Sequence, residues 1–471
     1  MAGPSPRRVR LQRSARVWRL TLRNGARYLL HKLRGLRSRD DAAARAARDE
    51  QYVIRTAQDV AAELGHMKGV VMKAAQLASV IAETLPDEAQ AALATLQADA
   101  PPMAPSLAAG VVREELGRDP QRVFLDWSQD PVAAASIGQV HRAVLHDGRE
   151  VAVKVQYPGL AEAMGADLDN ADALYRVVTA FALKSLDAKA LVAELRDRMT
   201  EELDYRREAS RQSEFARAFA GHPAIIVPSV VQELSTGRVL TTEWAAGWTW
   251  NELVAQADDA TRRRCGEVIW RFVQHSVHRI GAFNGDPHPG NYRFHGDGSV
   301  TFLDFGMVKR WDADEWARLS PCLDAIIVHR DPDLTVETME AAGFLTPGHG
   351  LQAPDVFEYV SAPYRPYLVD TFTFTRDFMR DTLARIADVK GPYAPVIERL
   401  NLPASFVILN RVVWGVTALL GRLDASGPWR AMLLEYRVPD SPPASDLGEA
   451  EQRWWRSRLA AGHDRPRDSA P

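Results

Sequence analysis

The chain has 471 residues, 46% of them hydrophobic and 25% charged, with a formal charge of −3 from 58 basic and 61 acidic side chains. That is ordinary globular usage, which excludes a disordered, collagen-like or coiled-coil chain, and the near-balance of charge excludes a whole-molecule field that would favour nucleic acid. Two cysteines, Cys265 and Cys322, stand far apart in no metal-type spacing, so both read as core thiols in a reducing compartment rather than as a disulfide framework or zinc ribbon.

The N-terminus is strongly biased: residues 1–39 hold twelve Lys or Arg and no Asp or Glu. Leu11, Trp18, Leu22, Leu29, Leu33 and Leu36 fall mostly at helical spacings, which predicts a basic amphipathic helix with affinity for anionic lipid. A fold-packed or partly disordered, solvated arm is the reading favoured over membrane contact, and sparse aromatic interleaving speaks against nucleic acid. The recurring arginines leave no apolar core for a signal peptide. A spanning helix needs about 20 apolar residues, and the best run, Phe406 to Leu420, is broken by Asn410 and Arg411. The expected location is therefore cytoplasmic, with residues 1–39 as the candidate membrane contact.

From Ala42 to Leu96 the Ala-, Leu-, Glu- and Gln-rich sequence predicts two or three helices, closed by Pro101, Pro102 and Pro105. Arg122–Trp127, Gln139–Leu145 and Glu150–Val155 read as strands of a small antiparallel sheet, with His146-Asp-Gly148 as a hairpin turn. A helical stretch to about Ala220 follows, then strands over Ile225–Val231 and Arg238–Trp244. Beyond Gly247 the pattern is helical, interrupted by a loop-strand-loop passage from Gly285 to Gly306. After Val438 the Pro-, Ser-, Asp- and Arg-rich composition predicts a disordered tail with a short helix around Trp454 and Trp455.

Three motifs carry chemistry. In Val151-Ala-Val-Lys154 a lysine on a strand of small and β-branched residues can hold nucleotide phosphates; alone it reads equally as a surface lysine. In Asp286-Pro-His-Pro-Gly-Asn291 a carboxylate and an amide share a tight Pro/Gly loop, which alone is also an Asx-capped turn. In Phe302-Leu-Asp-Phe-Gly306 an acid ends an apolar strand before a glycine, or simply caps it. Asp286, Asn291 and Asp304 supply hard oxygens suited to Mg²⁺, which completes its shell with phosphate and water. The order of the three is the protein-kinase signature, in which the lysine holds the α and β phosphates and the asparagine and second aspartate hold the metal. No Gly-x-Gly-x-x-Gly precedes Val151. In its place stands Pro131-Val-Ala-Ala-Ala-Ser-Ile-Gly-Gln-Val140, an alanine-rich loop (Ala133, Ala134, Ala135, Ser136) whose backbone donors can face phosphate less closely than glycines allow.

As a set, these motifs resemble the UbiB/AarF-domain atypical kinases of ubiquinone biosynthesis. The resemblance rests on the alanine-rich loop, on Val-Ala-Val-Lys-Val-Gln-Tyr-Pro-Gly159, on Glu202-Leu-Asp-Tyr-Arg-Arg-Glu-Ala209, on Gly285-Asp-Pro-His-Pro-Gly-Asn291 and on Leu303-Asp-Phe-Gly-Met307, and it covers residues from about 60 to about 425. It implies an α+β, bilobal protein-kinase-like fold with a helical N-terminal extension over the nucleotide cleft. The expected division is a basic arm (1–41), the extension (42–105), an N-lobe (106–246), a helical C-lobe (247–438) and the tail (439–471). It implies that Lys154 contacts the phosphates and pairs with Glu208, that Glu202 and Asp204 form the family's Glu-x-Asp motif, and that Asp286 is the catalytic aspartate. Asn291 and Asp304 would be the metal ligands, and backbone near Glu243 in Thr242-Glu-Trp-Ala-Ala-Gly247 would meet adenine. The family's Lys-x-Gly-Gln helix corresponds to Met72-Lys-Ala-Ala-Gln-Leu77, in which Lys73 and Gln76 persist and Ala75 replaces the glycine; its lysine would partner Glu202. Asn284 stands where the family usually has histidine, and no Ala-Pro-Glu segment follows Asp-Phe-Gly.

The function expected is an atypical kinase-like ATPase or phosphotransferase that binds ATP or ADP with Mg²⁺ and supports isoprenoid-quinone or lipid metabolism, with lipid or quinone-pathway proteins as partners. The competing expectation, resting on the altered extension and the missing docking segment, is a pseudokinase that acts as a nucleotide-gated binding module. A protein kinase acting on polypeptides is the weakest of the three.

Overall fold

The computed structural model describes residues 103–135, 137–159, 201, 203–388, 391–401 and 404–462. The basic arm, the extension with Lys73 and Gln76, Ser136, the segment 160–200 and Glu202 lie outside the described residues. The chain separates into two compact units, Met1–Arg206 with Glu233–Thr241, and Arg207–Gln232 with Thr242–Pro471. Helices and sheets are mixed in an α+β architecture consistent with a kinase-like fold.

Along the first half come α1 (Pro105–Leu116), α2 (Pro120–Val123), β1 (Asp126–Trp127), β2 (Ala133–Ala135), β3 (Gly138–Val144), β4 (Glu150–Gln156), α3 (Tyr205–Ala218), β5 (Ile225–Ile226) and β6 (Val239–Glu243). The five-stranded sheet of the first unit has the order β1-β3-β4-β6, with β2 hairpinned onto β3. Strands β3 and β4 pair antiparallel over seven residues, Val140 opposite Lys154. Their alternation works as the sequence suggests: Val151, Val153 and Val155 are fully buried while Ala152 and Lys154 are half-buried. The turn between them closes through Gly148, at φ +89°, where a glycine carries no Cβ penalty. Arg238 ties α1 to the sheet by reaching Glu115 at 2.7 Å and Glu114 at 2.9 Å.

Two expectations are corrected here. Arg122–Trp127 is not one strand: Pro120, with its fixed φ, opens the short helix α2, and only Asp126–Trp127 pairs with β3. The alanine segment is not a loop but strand β2, with Ala133 opposite Val140 and Ala135 opposite Gly138.

The second unit continues through α4 (Trp250–Gln256), α5 (Asp259–His275), β7 (Ala282–Asn284), β8 (Tyr292–Phe294), β9 (Val300–Phe302), β10 (Val308–Arg310), α6 (Ala313–Asp324), α7 (Pro332–Ala341) and α8 (Ala353–Val360). It ends with β11 (Phe372–Thr373), α9 (Arg376–Ala387), α10 (Ala394–Arg399), α11 (Ala404–Arg422), β12 (Ser426–Gly427), α12 (Trp429–Arg437) and α13 (Asp446–Ala460). Small sheets frame the loops between α5 and α6: β5-β9-β8, and the pair β7-β10 with Asn284 opposite Val308. The expected strand Ile225–Val231 is confined to Ile225–Ile226, with one further bridge at Val230.

An aromatic core runs under these loops. Phe272 stacks on Phe302 with centroids 3.8 Å apart, and Phe215 meets Phe305 at 4.9 Å, so α3 and α5 are pinned to the strand that precedes Asp304 and to the residue that follows it. Cys265 and Cys322 are buried free thiols of this unit, and burial pushes the Cys265 thiol up to about 12.

The tail is also corrected. Instead of a disordered segment with a short helix, Asp446–Ala460 forms a fifteen-residue helix, N-capped by the Ser445 side chain and buried at Leu447, Gly448 and Glu451. Among the described residues no helix is long and apolar enough to cross a membrane.

Candidate functional site

Asp286, Asn291 and Asp304 are brought together by loops that hydrogen-bond to one another. Asp286 leaves β7, and its backbone carbonyl accepts from His288 N–H at 2.7 Å. A 3-10 turn, Pro289–Asn291, then folds Asn291 back so that its Nδ2 donates to both the carbonyl and Oδ2 of Asp286, each at 3.2 Å. The Asn291 carbonyl in turn accepts from Leu303 N–H at 2.9 Å, which places Asp304 beside it. With its NH₂ edge turned to Asp286, Asn291 has its side-chain oxygen as the remaining polar edge.

Asp304 is fixed at both ends. Its Oδ1 accepts from Gly306 N–H at 2.9 Å, and its backbone carbonyl accepts from the Asn284 side chain. Gly306 packs tightly here: a Cβ there would stand 3.2 Å from Asp304 Oδ1, and 3.7 Å from Glu208 Oε2. Glu208, buried on α3, therefore lies close to the Asp304–Gly306 segment. Arg211, one turn further along the helix, donates to the Gly306 carbonyl at 2.8 Å. From the other side, the α11 backbone at Gly415 packs so closely on the Pro287 ring that a Cβ would overlap it. Tyr292, directly after Asn291, has its phenol pushed well up by burial and by the Asp286 charge.

Lys154 belongs to the first unit, half-buried on β4 with Nζ 5.1 Å from the centre of the Tyr205 ring. Gly138, at the end of the alanine hairpin, is a glycine because a Cβ would overlap the Val155 carbonyl and crowd the Tyr205 hydroxyl. Ala133 and Ala134 are exposed, Ala135 half-exposed. Asp204 accepts from Arg206 N–H at 3.1 Å. Glu243 is engaged with Ser229 at both ends: its N–H donates to the Ser229 carbonyl at 2.9 Å, and its Oε2 accepts from Ser229 N–H at 3.0 Å. That N–H is thus occupied.

Sequence reasoning missed three features, two beside the acidic loops and one within the first unit. Arg211 was legible as Glu208 plus three on a helix, whereas Gly415 gave no signal because its contact with Pro287 is non-local. The third is a buried polar chain on β3 of the first unit: Gln139 Oε1 accepts from Met103 N–H and its Nε2 lies 2.9 Å from His141 Nε2, while His141 Nδ1 lies 2.9 Å from the Ser128 carbonyl. The amide donor fixes the proton of His141 on Nδ1, and burial holds its pKa below the ordinary value.

A mixed α+β protein with two acidic loops and an asparagine in kinase order is the class defined by these elements. A family model described as the ABC1 atypical kinase-like domain matches residues 95–339, just over half the chain, and the chain belongs to this family of UbiB/ABC1 atypical kinases. It is 33% identical to the chloroplastic protein Activity of bc1 complex kinase 8 of Arabidopsis thaliana over 291 residues, 60% of this chain and 38% of that one. It is 36% identical to the mitochondrial atypical kinase COQ8B of Rattus norvegicus over 205 residues, 43% of this chain and 38% of that one. The matched stretch spans less than two fifths of either relative. Among solved structures, Rv3197 of Mycobacterium tuberculosis, determined in complex with erythromycin, is 33% identical with a TM-score of 0.59, covering 80% of this chain and 94% of that one.

Proposed function

We propose that the protein is an atypical kinase-like ATPase or phosphotransferase that binds ATP or ADP together with Mg²⁺. The observation that carries this reading is the hydrogen-bonded convergence of Asp286, Asn291 and Asp304 within one unit. The donor set fits the metal: a carboxylate and an amide oxygen are hard ligands, too few for a protein-only cage and suited to a cation that brings phosphate oxygens and water. On this reading Asn291 and Asp304 hold Mg²⁺, which when bound neutralises phosphate charge. Asp286 accepts a proton from, or orients, the attacking water or small acceptor, and Lys154 contacts the α and β phosphates. Glu208 completes the catalytic set, and backbone near Glu243 meets adenine. Ala133, Ala134, Ala135, Ser136, Lys73, Gln76, Glu202 and Asp204 contribute to nucleotide binding as the family resemblance implies. The bilobal arrangement, with its helical extension over residues 42–105, is part of the same proposal.

The role in isoprenoid-quinone or lipid metabolism, with partners from that pathway, rests on family membership, since fold and family constrain chemistry more than biology. Contact of residues 1–39 with anionic membrane rests on their charge and spacing. It predicts that a variant lacking them sediments less with anionic liposomes than the full chain does.

The central test is a thermal-shift titration with ATP and ADP, with and without magnesium, alongside Asp304→Ala. Binding at a hundredfold excess over Kd stabilises by about 2.7 kcal/mol, so a magnesium-dependent shift lost in the variant supports the site. Absence of any shift would leave the family fold without this ligand.

A further inference from the structure

Asn284 ends β7 opposite Val308 of β10 and is 9% exposed. Its side chain does two things at once. Nδ2 donates to the backbone carbonyl of Asp304, twenty residues away, while Oδ1 accepts from the backbone N–H of Asp286 at 2.9 Å. The adjacent backbone is tied in the same direction, Gly285 N–H donating to the Met307 carbonyl at 2.6 Å. The amide thereby closes a ring: Asn284 to Asp286, Asp286 to Asn291, Asn291 to Leu303, and Asp304 back to Asn284. A planar amide offers a donor on one edge and an acceptor on the other. An aspartate there would keep the acceptor but face the Asp304 carbonyl with negative charge, and a leucine would supply neither bond.

We propose that Asn284 is a positioning residue that sets the distance between the Asp286 and Asp304 loops and so presets the oxygen set for a divalent cation before the cation arrives. The inference deepens the metal–nucleotide reading above and rests on it. Asn284 touches neither the cation nor the reacting atoms. It acts through the backbone of the two residues that do, as outer-shell partners of metal ligands generally act.

The test compares the wild-type protein with Asn284→Asp and Asn284→Leu by two readouts. The first is the magnesium concentration that gives half of the nucleotide-induced thermal shift. The second is hydrogen exchange of the ligand-free protein over residues 284–291 and 303–307. Asn284→Asp is expected to raise the magnesium half-point about 10- to 100-fold and to speed exchange over 303–307, while the Asp286 amide stays protected by the retained acceptor. Asn284→Leu is expected to open both segments. Melting of the ligand-free variants reports general destabilisation separately: a lowered melting temperature with an unchanged half-point and unchanged exchange over 303–307 would assign Asn284 to stability alone and overturn the proposal. If the wild-type protein shows no magnesium-dependent shift, the metal reading fails and this proposal with it. Exchange would then still decide whether Asn284 couples the two loops.

Discussion

Two polar clusters of the second unit show opposite ways of holding charge. Around Arg271, which is fully buried, the guanidinium reaches Glu267 at 2.7 Å, Glu435 at 3.0 Å and Glu451 at 3.1 Å, while Glu451 also takes His275 at 2.9 Å and the Tyr436 hydroxyl at 2.8 Å. Burial alone would raise the Glu451 carboxyl, but hydrogen bonds and charge from His222, His275 and Arg271 hold it well below the usual carboxylate range. His222 accepts from Ala224 and Ile225 N–H through Nδ1, so its proton sits on Nε2, 3.9 Å from Glu451, and burial lowers its pKa. This cluster closes on itself and fastens α12 and α13 to α5. In the Asp286–Gly306 loops, by contrast, amide and backbone groups take part in the positioning: Asn291 Nδ2 donates to Asp286, Gly306 N–H donates to Asp304, and the Asn284 side chain holds the Asp304 carbonyl.

The comparison predicts opposite profiles for stability and activity. Glu451→Ala removes one wall of the buried network and is expected to cost about 3 to 5 kcal/mol of unfolding free energy, read from denaturant midpoints. A wild-type midpoint would mean that the network does not fasten α13. Asp286→Asn should lower multiple-turnover phosphate release by about 10²- to 10⁴-fold while leaving stability within about 0.5 kcal/mol. Equal losses in both would erase the distinction between the clusters. Gly415→Val forces a side chain into the Pro287 ring and should cost about 1 to 3 kcal/mol, with a weakened response to Mg-nucleotide. A purely local loss, with that response intact, would separate α11 from the site.

The smallest effect is on pH. A depressed carboxyl stabilises above its unfolded value, here near 4.5, and the contribution is lost as pH falls through the folded value. His222, lowered from 6.5, adds to the same limb, because below that pH the unfolded chain takes up the proton first. Unfolding midpoints at pH 7.5, 5.5 and 4 should therefore decline progressively, and Glu451→Gln should flatten the portion below about pH 4.5.

Legibility in the sequence followed the range of the interactions. The β3–β4 hairpin was readable because alternation and a glycine turn are local, and Lys154 sits on that hairpin where Val-Ala-Val-Lys predicts. Arg122–Trp127 misled because Pro120 redirected its first half into a helix. The tail misled because Pro, Ser and Asp read as disorder, although Ser445 is an N-cap and Glu451 finds Arg271 from 180 residues away. Asn284 was legible only as a departure from a family pattern. Its bond to Asp286 N–H is local, but its bond to the Asp304 carbonyl spans twenty residues, which no local signal encodes.

The sequence by itself determined the residue chemistry of the candidate site and its kinase order, because both are written in short motifs whose spacing survives without a fold. It also determined the helical and strand periodicities that local burial enforces. Only the tertiary structure decided which amide and backbone groups hold Asp286 and Asp304 in register, and that the C-terminal helix belongs to the core. The longest of these bonds, Asn284 to Asp304 and Arg271 to Glu451, join positions twenty and 180 residues apart and form only when closure of the chain brings their donors and acceptors together.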